Sequence, residues 1–299
     1  MSKCTHINSK SNQGTIQMKT ILAILFHYLF KDAFFKKKYY GLHKRLFKPF
    51  HLFKGVTRLT TWKGLTLYLH IDDWIQQHMY FLGGYEEAEL KAVEQFLTAD
   101  SVFIDIGANI GLYTLFAANA INENGQVISF EPFTPNFNSL TKNVSLNNFS
   151  TICLEKMAIG AKDGLINLYY DEKEKNLGMA SSITLEKGVQ EEVKLTALDS
   201  YLETKSLAKI DLIKIDIEGF EYAALLGMRN TLTKFRPTLL IEILKSTKSA
   251  NHKSNCEQLL TSLGYHKYYI DDAGRLSKNE VNTNRMNYVY STKIVANSL

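Results

Sequence analysis

Three short apolar runs in this chain each end in an acid, and those acids, with one glycine-rich turn, are the residues best placed to do chemistry. The first run is Val102-Phe103-Ile104-Asp105-Ile106-Gly107-Ala108-Asn109-Ile110-Gly111, followed by an amphipathic segment from Leu112 to Ala120. It reads as a buried parallel strand, a tight loop and a helix N-terminus, the first half of a nucleotide-binding βαβ unit. A dinucleotide loop needs Gly-x-Gly-x-x-Gly so that a pyrophosphate can approach the backbone. Here the spacing is Gly107-x-Asn109-x-Gly111, and Leu112 stands where the third glycine would be. That loop suits a cofactor without phosphates, whose carboxylate and amine meet a curved backbone and polar side chains: S-adenosylmethionine (SAM). Asp105, Gly107, Ala108, Asn109 and Gly111 are its candidate contacts. The second run, Gln126 to Phe130, ends in Glu131, 20 residues after Gly111, where an acid can accept both ribose hydroxyls.

The third run is Lys209-Ile210-Asp211-Leu212-Ile213-Lys214-Ile215-Asp216-Ile217-Glu218-Gly219-Phe220-Glu221. Alternation puts Leu212, Lys214 and Asp216 on one face, with Asp216 and Glu218 at the carboxyl end of the strand, the edge where open α/β sheets bind ligands. With Phe130-Glu131-Pro132, and with Arg236-Pro237 before a strand ending at Glu242, these motifs make residues 70 to 245 similar to the FkbM family of SAM-dependent methyltransferases. The Lys-x-Asp-x-Glu-Gly segment is the part that narrows the choice to this family. The resemblance implies a class I methyltransferase fold: a Rossmann-like α/β domain with a seven-stranded, mostly parallel sheet, an antiparallel last strand and helices on both faces. It implies that Tyr85 and Glu86 lie over the cofactor and that Met157 and Ala158 line the adenine pocket. The activity implied is O-methylation of a hydroxyl on a sugar, glycolipid or polyketide-like natural product.

Such an acceptor must lose a proton, so a base within hydrogen-bond reach is required. Asp216, Glu218, Lys214 and Glu242 are the candidates at the strand tips. Asp216 is read either as that base or as the partner of the cofactor's amine. Lys214 is read either as the ion-pair partner of Asp216 or as a base with a lowered pKa. A histidine that family members carry after the strand ending at Glu242 is replaced here by Leu244-Lys245. No metal is expected, because only Asp216 and Glu218 are close in sequence. The absence of an Asn/Asp-Pro-Pro-Tyr motif after that third strand, and of a Pro-Cys nucleophile, argues against methylation of DNA bases. Two other classes stay open: an RNA methyltransferase guided by a basic arm, and a non-catalytic interaction module built on a SAM fold.

The elements that must carry these residues fit within 299 residues, enough for one α/β domain plus extensions. Hydrophobic residues make up 45% and charged residues 22%, ordinary for a globular chain. Cys4, Cys153 and Cys256 lack metal-ligand spacing and suggest a reducing compartment. Charge is uneven: residues 1–63 hold 13 Lys/Arg against one acid, Asp32, leaving 22 bases and 29 acids for residues 64–299. We divide the chain into a disordered polar tail (1–18), a basic aromatic-rich helical arm (19–54), a hairpin and helical cap (55–98) and the catalytic domain (99–299). The apolar run Ile21 to Phe30 is too short to span a bilayer. Two readings of the arm stand: an interfacial helix on anionic lipid, or a helix packed by its apolar side with a solvated basic face. Nucleic acid is the least favoured partner, a small-molecule or glycan acceptor the most favoured. The expected location is the cytoplasm, with peripheral contact to the inner face of a membrane on the first reading. Asp171 to Gly178 reads as a charged linker. Leu165 to Tyr170, Ser181 to Leu185 and Glu192 to Leu198 read as an inserted β element.

Overall fold

A computed structural model describes residues 5–170, 189–244, 251–281 and 285–293. The linker at Asp171 to Gly178, the expected strand at Ser181 to Leu185 and Lys245 lie outside the described residues. The chain divides into two compact units between Tyr85 and Glu86, earlier than the 98/99 boundary expected from sequence.

In the N-terminal unit, α1 (Thr5–Leu29) starts inside the segment expected to be a disordered tail. Residues 5–18 contain no proline, so a helix nucleated by the apolar run Ile21 to Phe30 can propagate backward through them. Asp32 caps α2 (Ala33–Lys36), its carboxylate accepting from Phe34 N and Phe35 N. α3 (Tyr39–Leu42) continues into a π-helical turn at His43–Phe47. Phe30, Tyr39, Phe47, Phe53 and Phe81 are buried together as an aromatic cluster. β1 (Thr57–Trp62) and β2 (Leu65–His70) form the expected hairpin. Its turn residues Lys63 and Gly64 both have positive φ, as the twist of a two-residue hairpin requires. α4 (Trp74–Leu82) is capped by Asp73, which accepts from Gln76 N, and ends at a left-handed Gly83.

The second unit begins with α5 (Glu87–Glu94), β3 (Val102–Ile106), α6 (Leu112–Ala120), β4 (Gln126–Phe130), α7 (Thr134–Ser145) and β5 (Ile152–Glu155). β6 (Ala158–Ile159), β7 (Gly164–Tyr170) and β8 (Val189–Thr196) form a separate small sheet, the inserted element. Then come α8 (Leu198–Glu203), β9 (Leu212–Ile215), α9 (Glu221–Leu226), α10 (Arg229–Phe235), β10 (Thr238–Glu242) and α11 (His252–Ser262). β11 (His266–Ile270), β12 (Leu276–Ser277) and β13 (Asn287–Ser291) close the unit.

The main sheet runs β12-β11-β13-β10-β9-β3-β4-β5. The strands β5, β4, β3, β9 and β10 are parallel, and β13 is antiparallel to β10 and to β11. This is the expected class I methyltransferase-type arrangement with one strand more, eight instead of seven. The addition is β12, whose two residues pair with Tyr269 and Ile270 at the edge and are too few to show any periodicity in sequence. Ile104, Ile106, Ile128, Ile213, Ile215, Leu239 and Ile241 are buried in one core, as expected of strands covered on both faces. β3 lies between β4 and β9, so the sheet order reverses there. The crevice outside the carboxyl ends of these strands is where such sheets take a ligand.

Candidate active site

The loop after β3 is fixed by its backbone. Gly107 N and Ala108 N both donate to Phe130 O, each at 3.0 Å, stapling the loop to the end of β4. Gly107 has φ +80°, and a Cβ built on it would lie 1.9 Å from the carbonyl oxygen of Asp216. Only glycine allows the β3 and β9 loops to approach so closely. Asn109 sits at φ 52°, a left-handed position that asparagine tolerates. Its N–H donates to Glu131 Oε2 at 2.7 Å, and Phe133 N donates to Oε1 at 3.0 Å. Burial pushes the Glu131 carboxyl up to about 7 against the pull of these two donors. Each oxygen has spent one acceptor site, so capacity remains for two hydroxyl donors.

Parallel pairing explains the next contacts. Asp105 is registered with Lys214 across β3 and β9. Lys214 Nζ donates to Gly107 O at 2.7 Å and lies 3.5 Å from both Asp105 Oδ1 and Asp216 Oδ2. It also lies over the Tyr113 ring, 5.3 Å from its centroid. Burial opposes the charge on Lys214, but Asp216, Asp105, Glu86 and Glu131 outweigh it and raise its pKa. The lysine is a held cation, and its reading as a base with a lowered pKa is therefore corrected. Asp105 is fully buried and pushed up by burial. One of its oxygens accepts from Thr114 Oγ1 at 2.7 Å, and the other has no hydrogen-bond partner.

The acids converge at the tips of β9 and β10. Ile215 pairs with Ile241, so Asp216 and Glu242, one residue further on, reach the same edge together. Carboxylate oxygens of Asp216, Glu218 and Glu242 all lie within 4.8 Å of one another, a set that could hold a cation. The expectation that these acids form no metal-competent cluster is corrected. Glu242, distant in sequence, is supplied by the neighbouring strand. Burial, reinforced by Asp216, pushes Glu242 up to about 9 and Glu218 up to about 7. Glu218 and Gly219 are consecutive left-handed residues at φ 51° and 95°, and for Glu218 that conformation is strained by about 1–3 kcal/mol.

Glu86 joins the group. It stands at the N-cap position of α5, but its side chain makes no capping bond: its own backbone is left-handed, and its carboxylate accepts from Tyr113 Oη at 2.8 Å. Burial, and then Asp216, push it up to about 7. Tyr113, missed in sequence, lies in α6 on the first turn after the loop, and that position was its available signal. Tyr85 belongs to the N-terminal unit, where its ring meets His78 at 5.9 Å. The Met157 side chain packs in the main core, and Ala158 packs against Phe133, Leu168 and Val193. Behind the Glu218 loop, Glu221 Oε1 accepts from Gly219 N at 2.8 Å while Oε2 lies 2.7 Å from His252 Nε2, all buried or nearly so. Cys256 is 3.9 Å from the same imidazole, and burial pushes its thiol up to about 12, too high for a nucleophile.

Residues 105–267 match the family described as the methyltransferase FkbM domain. The chain belongs to the FkbM methyltransferase family. It is 25% identical over 165 residues to Methyltransferase 1 of Beauveria bassiana (strain ARSEF 2860), covering 49% of this chain and 66% of that protein. Among solved structures, the FkbM methyltransferase of Methylobacillus flagellatus KT superposes with a TM-score of 0.42 at 17% identity, over 73% of this chain and 48% of that one. M. jannaschii TYW2 in complex with AdoMet gives 0.39 at 10% identity, over 78% and 84%. These structural scores describe loose similarity only. The chain thus spans just under two thirds of the fungal relative and about half of the Methylobacillus protein.

Proposed function

We propose that this FkbM-family protein is a SAM-dependent methyltransferase that methylates a hydroxyl group of a sugar, glycolipid or polyketide-like acceptor. The observation that carries the reading is the pairing of two sites at one sheet edge: Glu131 with spare acceptor capacity after β4, and a carboxylate cluster at the ends of β9 and β10. The residues fit the cofactor. Glu131 suits ribose hydroxyls, and Asp105, Gly107, Ala108, Asn109 and Gly111 supply a curved backbone with one buried carboxylate oxygen engaged by the Lys214 ion pair and by no closer hydrogen bond. Met157 and Ala158, just after β5, whose Glu155 carbonyl accepts from both Glu131 N and Met157 N, are the proposed adenine contacts. When bound, SAM supplies an electrophilic methyl group on sulfonium.

The remaining chemistry belongs to the chain. Lys214 holds Asp216 and Asp105 in place and balances their charge. A carboxylate whose pKa lies near 7 is matched to general-base work at neutral pH, and Glu218 is that group. Glu242, protonated at neutral pH by its environment, serves as a hydrogen-bond donor to an acceptor oxygen or to Asp216.

Calorimetry tests the cofactor half. Glu131→Ala removes two charge-assisted acceptor bonds worth about 1.5–3 kcal/mol each, so SAM affinity should fall ten-fold or more. Equal affinity in the variant removes Glu131 from the site, and no SAM binding by the folded wild type removes the whole reading. Radiolabelled methyl transfer into cell-envelope extract, compared with total RNA, tests the acceptor. Label in RNA alone would replace the glycan reading.

A further inference from the structure

Helix α1 has two apolar faces, and among the described residues only one of them is covered within its own unit. On the covered side Ala23 and Phe30 are buried, and the Phe26 ring meets Phe47 at 5.0 Å. On the opposite side stand Met18, Ile21, Leu25 and Tyr28, exposed at 59, 57, 60 and 64%. Their spacing of three and four residues places them on one line along the helix, uninterrupted by any polar side chain. A helix with an apolar line on each of two sides ordinarily has both covered by protein or lipid. No helix among the described residues is long and apolar enough to cross a membrane, so a lipid partner would have to lie along this line rather than around it.

Charge selects the partner. Residues 1–63 carry 13 Lys/Arg and one acid, Asp32. That acid is occupied at the N-terminus of α2. Lys31 lies over the Tyr28 ring at 4.6 Å, at the end of the apolar line, and the exposed Lys36, Lys37 and Lys38 follow. An apolar stripe ending in an aromatic ring, with lysines beside it and no free acid, has the composition of a helix lying in a bilayer interface. Its aliphatic side chains enter the acyl boundary, the tyrosine sits at headgroup depth, and the lysines meet anionic phosphates. A nucleic acid would use the lysines but leave the stripe uncovered. A second copy of this chain would set like charge against like. We propose that the outer face of α1, from Met18 to Tyr28, docks onto the surface of an anionic phospholipid bilayer. This goes beyond the catalytic reading and does not depend on SAM binding.

The test uses the full-length protein and sedimentation with phosphatidylcholine vesicles, with and without phosphatidylserine. Wild type should pellet with the phosphatidylserine vesicles only, and less as salt rises. An Ile21→Glu/Leu25→Glu double variant should bind at least ten-fold more weakly. A Lys36→Gln/Lys37→Gln/Lys38→Gln variant should lose about five-fold per lysine, on the order of a hundred-fold in all. These positions are exposed, and the bond lost with Lys36, from Nζ to Leu82 O at 2.9 Å, lies at the surface, so circular dichroism should match wild type and melting nearly so. As an independent readout, the emission that Leu25→Trp adds to that of Trp62 and Trp74 should shift to the blue and be quenched by lipid brominated in the acyl chain. Equal pelleting by wild type and the glutamate variant, or no quenching at position 25, overturns the proposal. So does vesicle-independent dimerisation that Ile21→Glu/Leu25→Glu abolishes. RNA binding that needs the lysines but not Ile21 and Leu25 overturns it too, if it comes without vesicle binding.

Discussion

At the residue scale, Glu218 and Asp216 sit two positions apart and should fail differently. Asp216 lies 3.5 Å from Lys214, so its carboxylate is tied to the cation that also holds the Gly107 carbonyl. Glu218 has no such tether and is held near neutrality by burial and by the neighbouring Asp216 and Glu221. A base must be deprotonated to act. Turnover should therefore rise with pH through about 7 and level off above it. Glu218→Gln keeps the volume and removes the base. We expect a loss of about 10²–10⁴ in rate, disappearance of that pH limb and nearly unchanged SAM affinity. Asp216→Asn should weaken SAM binding as well as slow transfer. Full activity in both variants, measured on the true acceptor, would move the base to another group. The sequence shows Asp105, Glu131 and Asp216 because each acid ends or interrupts an apolar run. It does not show that Glu242 meets Asp216, or that Tyr113 holds Glu86, because those contacts depend on which strands and helices become neighbours.

At the element scale the site is a meeting of loops, and its weakest tolerance is at Gly107. A methyl group there meets the Asp216 carbonyl at 1.9 Å on a backbone at φ +80°. Gly107→Ala should push the β3 and β9 loops apart. Its expected signature is loss of SAM binding with a lowered melting temperature, whereas a variant that binds SAM like wild type would mean the two loops are not held this closely. The Glu218 loop is braced from behind by Glu221, which joins Gly219 N to His252 on α11. His252→Ala leaves a buried carboxylate oxygen unsatisfied and should cost about 1–3 kcal/mol in urea unfolding. An unchanged midpoint would show that the imidazole contributes nothing to the brace. β3, β4 and β9 are legible in sequence because a buried parallel strand is a short apolar run followed by a turn. β12 is two residues long and leaves no pattern. The backward extension of α1 to Thr5 is cooperative, driven by the apolar run beyond it, and cannot be read from the polar residues themselves.

At the scale of the whole molecule, the second unit gathers acids whose burial raises their pKa, and this should govern how stability responds to pH. Glu86, Glu131 and Glu218 are raised from 4.5 to about 7, and Glu242 to about 9. In each, burial is the leading cause. A carboxyl whose pKa is higher in the folded than in the unfolded protein holds its proton more tightly when folded. Its contribution to stability is complete below about pH 4.5 and is lost as pH rises through the folded value. The ligand-free protein should therefore lose thermal stability progressively from about pH 5 to about pH 9, with the last part of the loss belonging to Glu242. Glu242→Gln removes the ionisation that causes this last part, so its melting temperature should fall less than that of wild type between pH 7 and pH 9. Glu131→Gln should flatten the earlier part, between pH 5 and pH 7, in the same way. SAM engages Glu131 through ribose hydroxyls that favour its ionised form, so saturating SAM should mimic that second variant. The measurement is calorimetric melting of wild type and both variants across this range. A slope that neither substitution alters would mean that these buried acids do not set the pH response. The charge reservoir would then lie elsewhere in the chain.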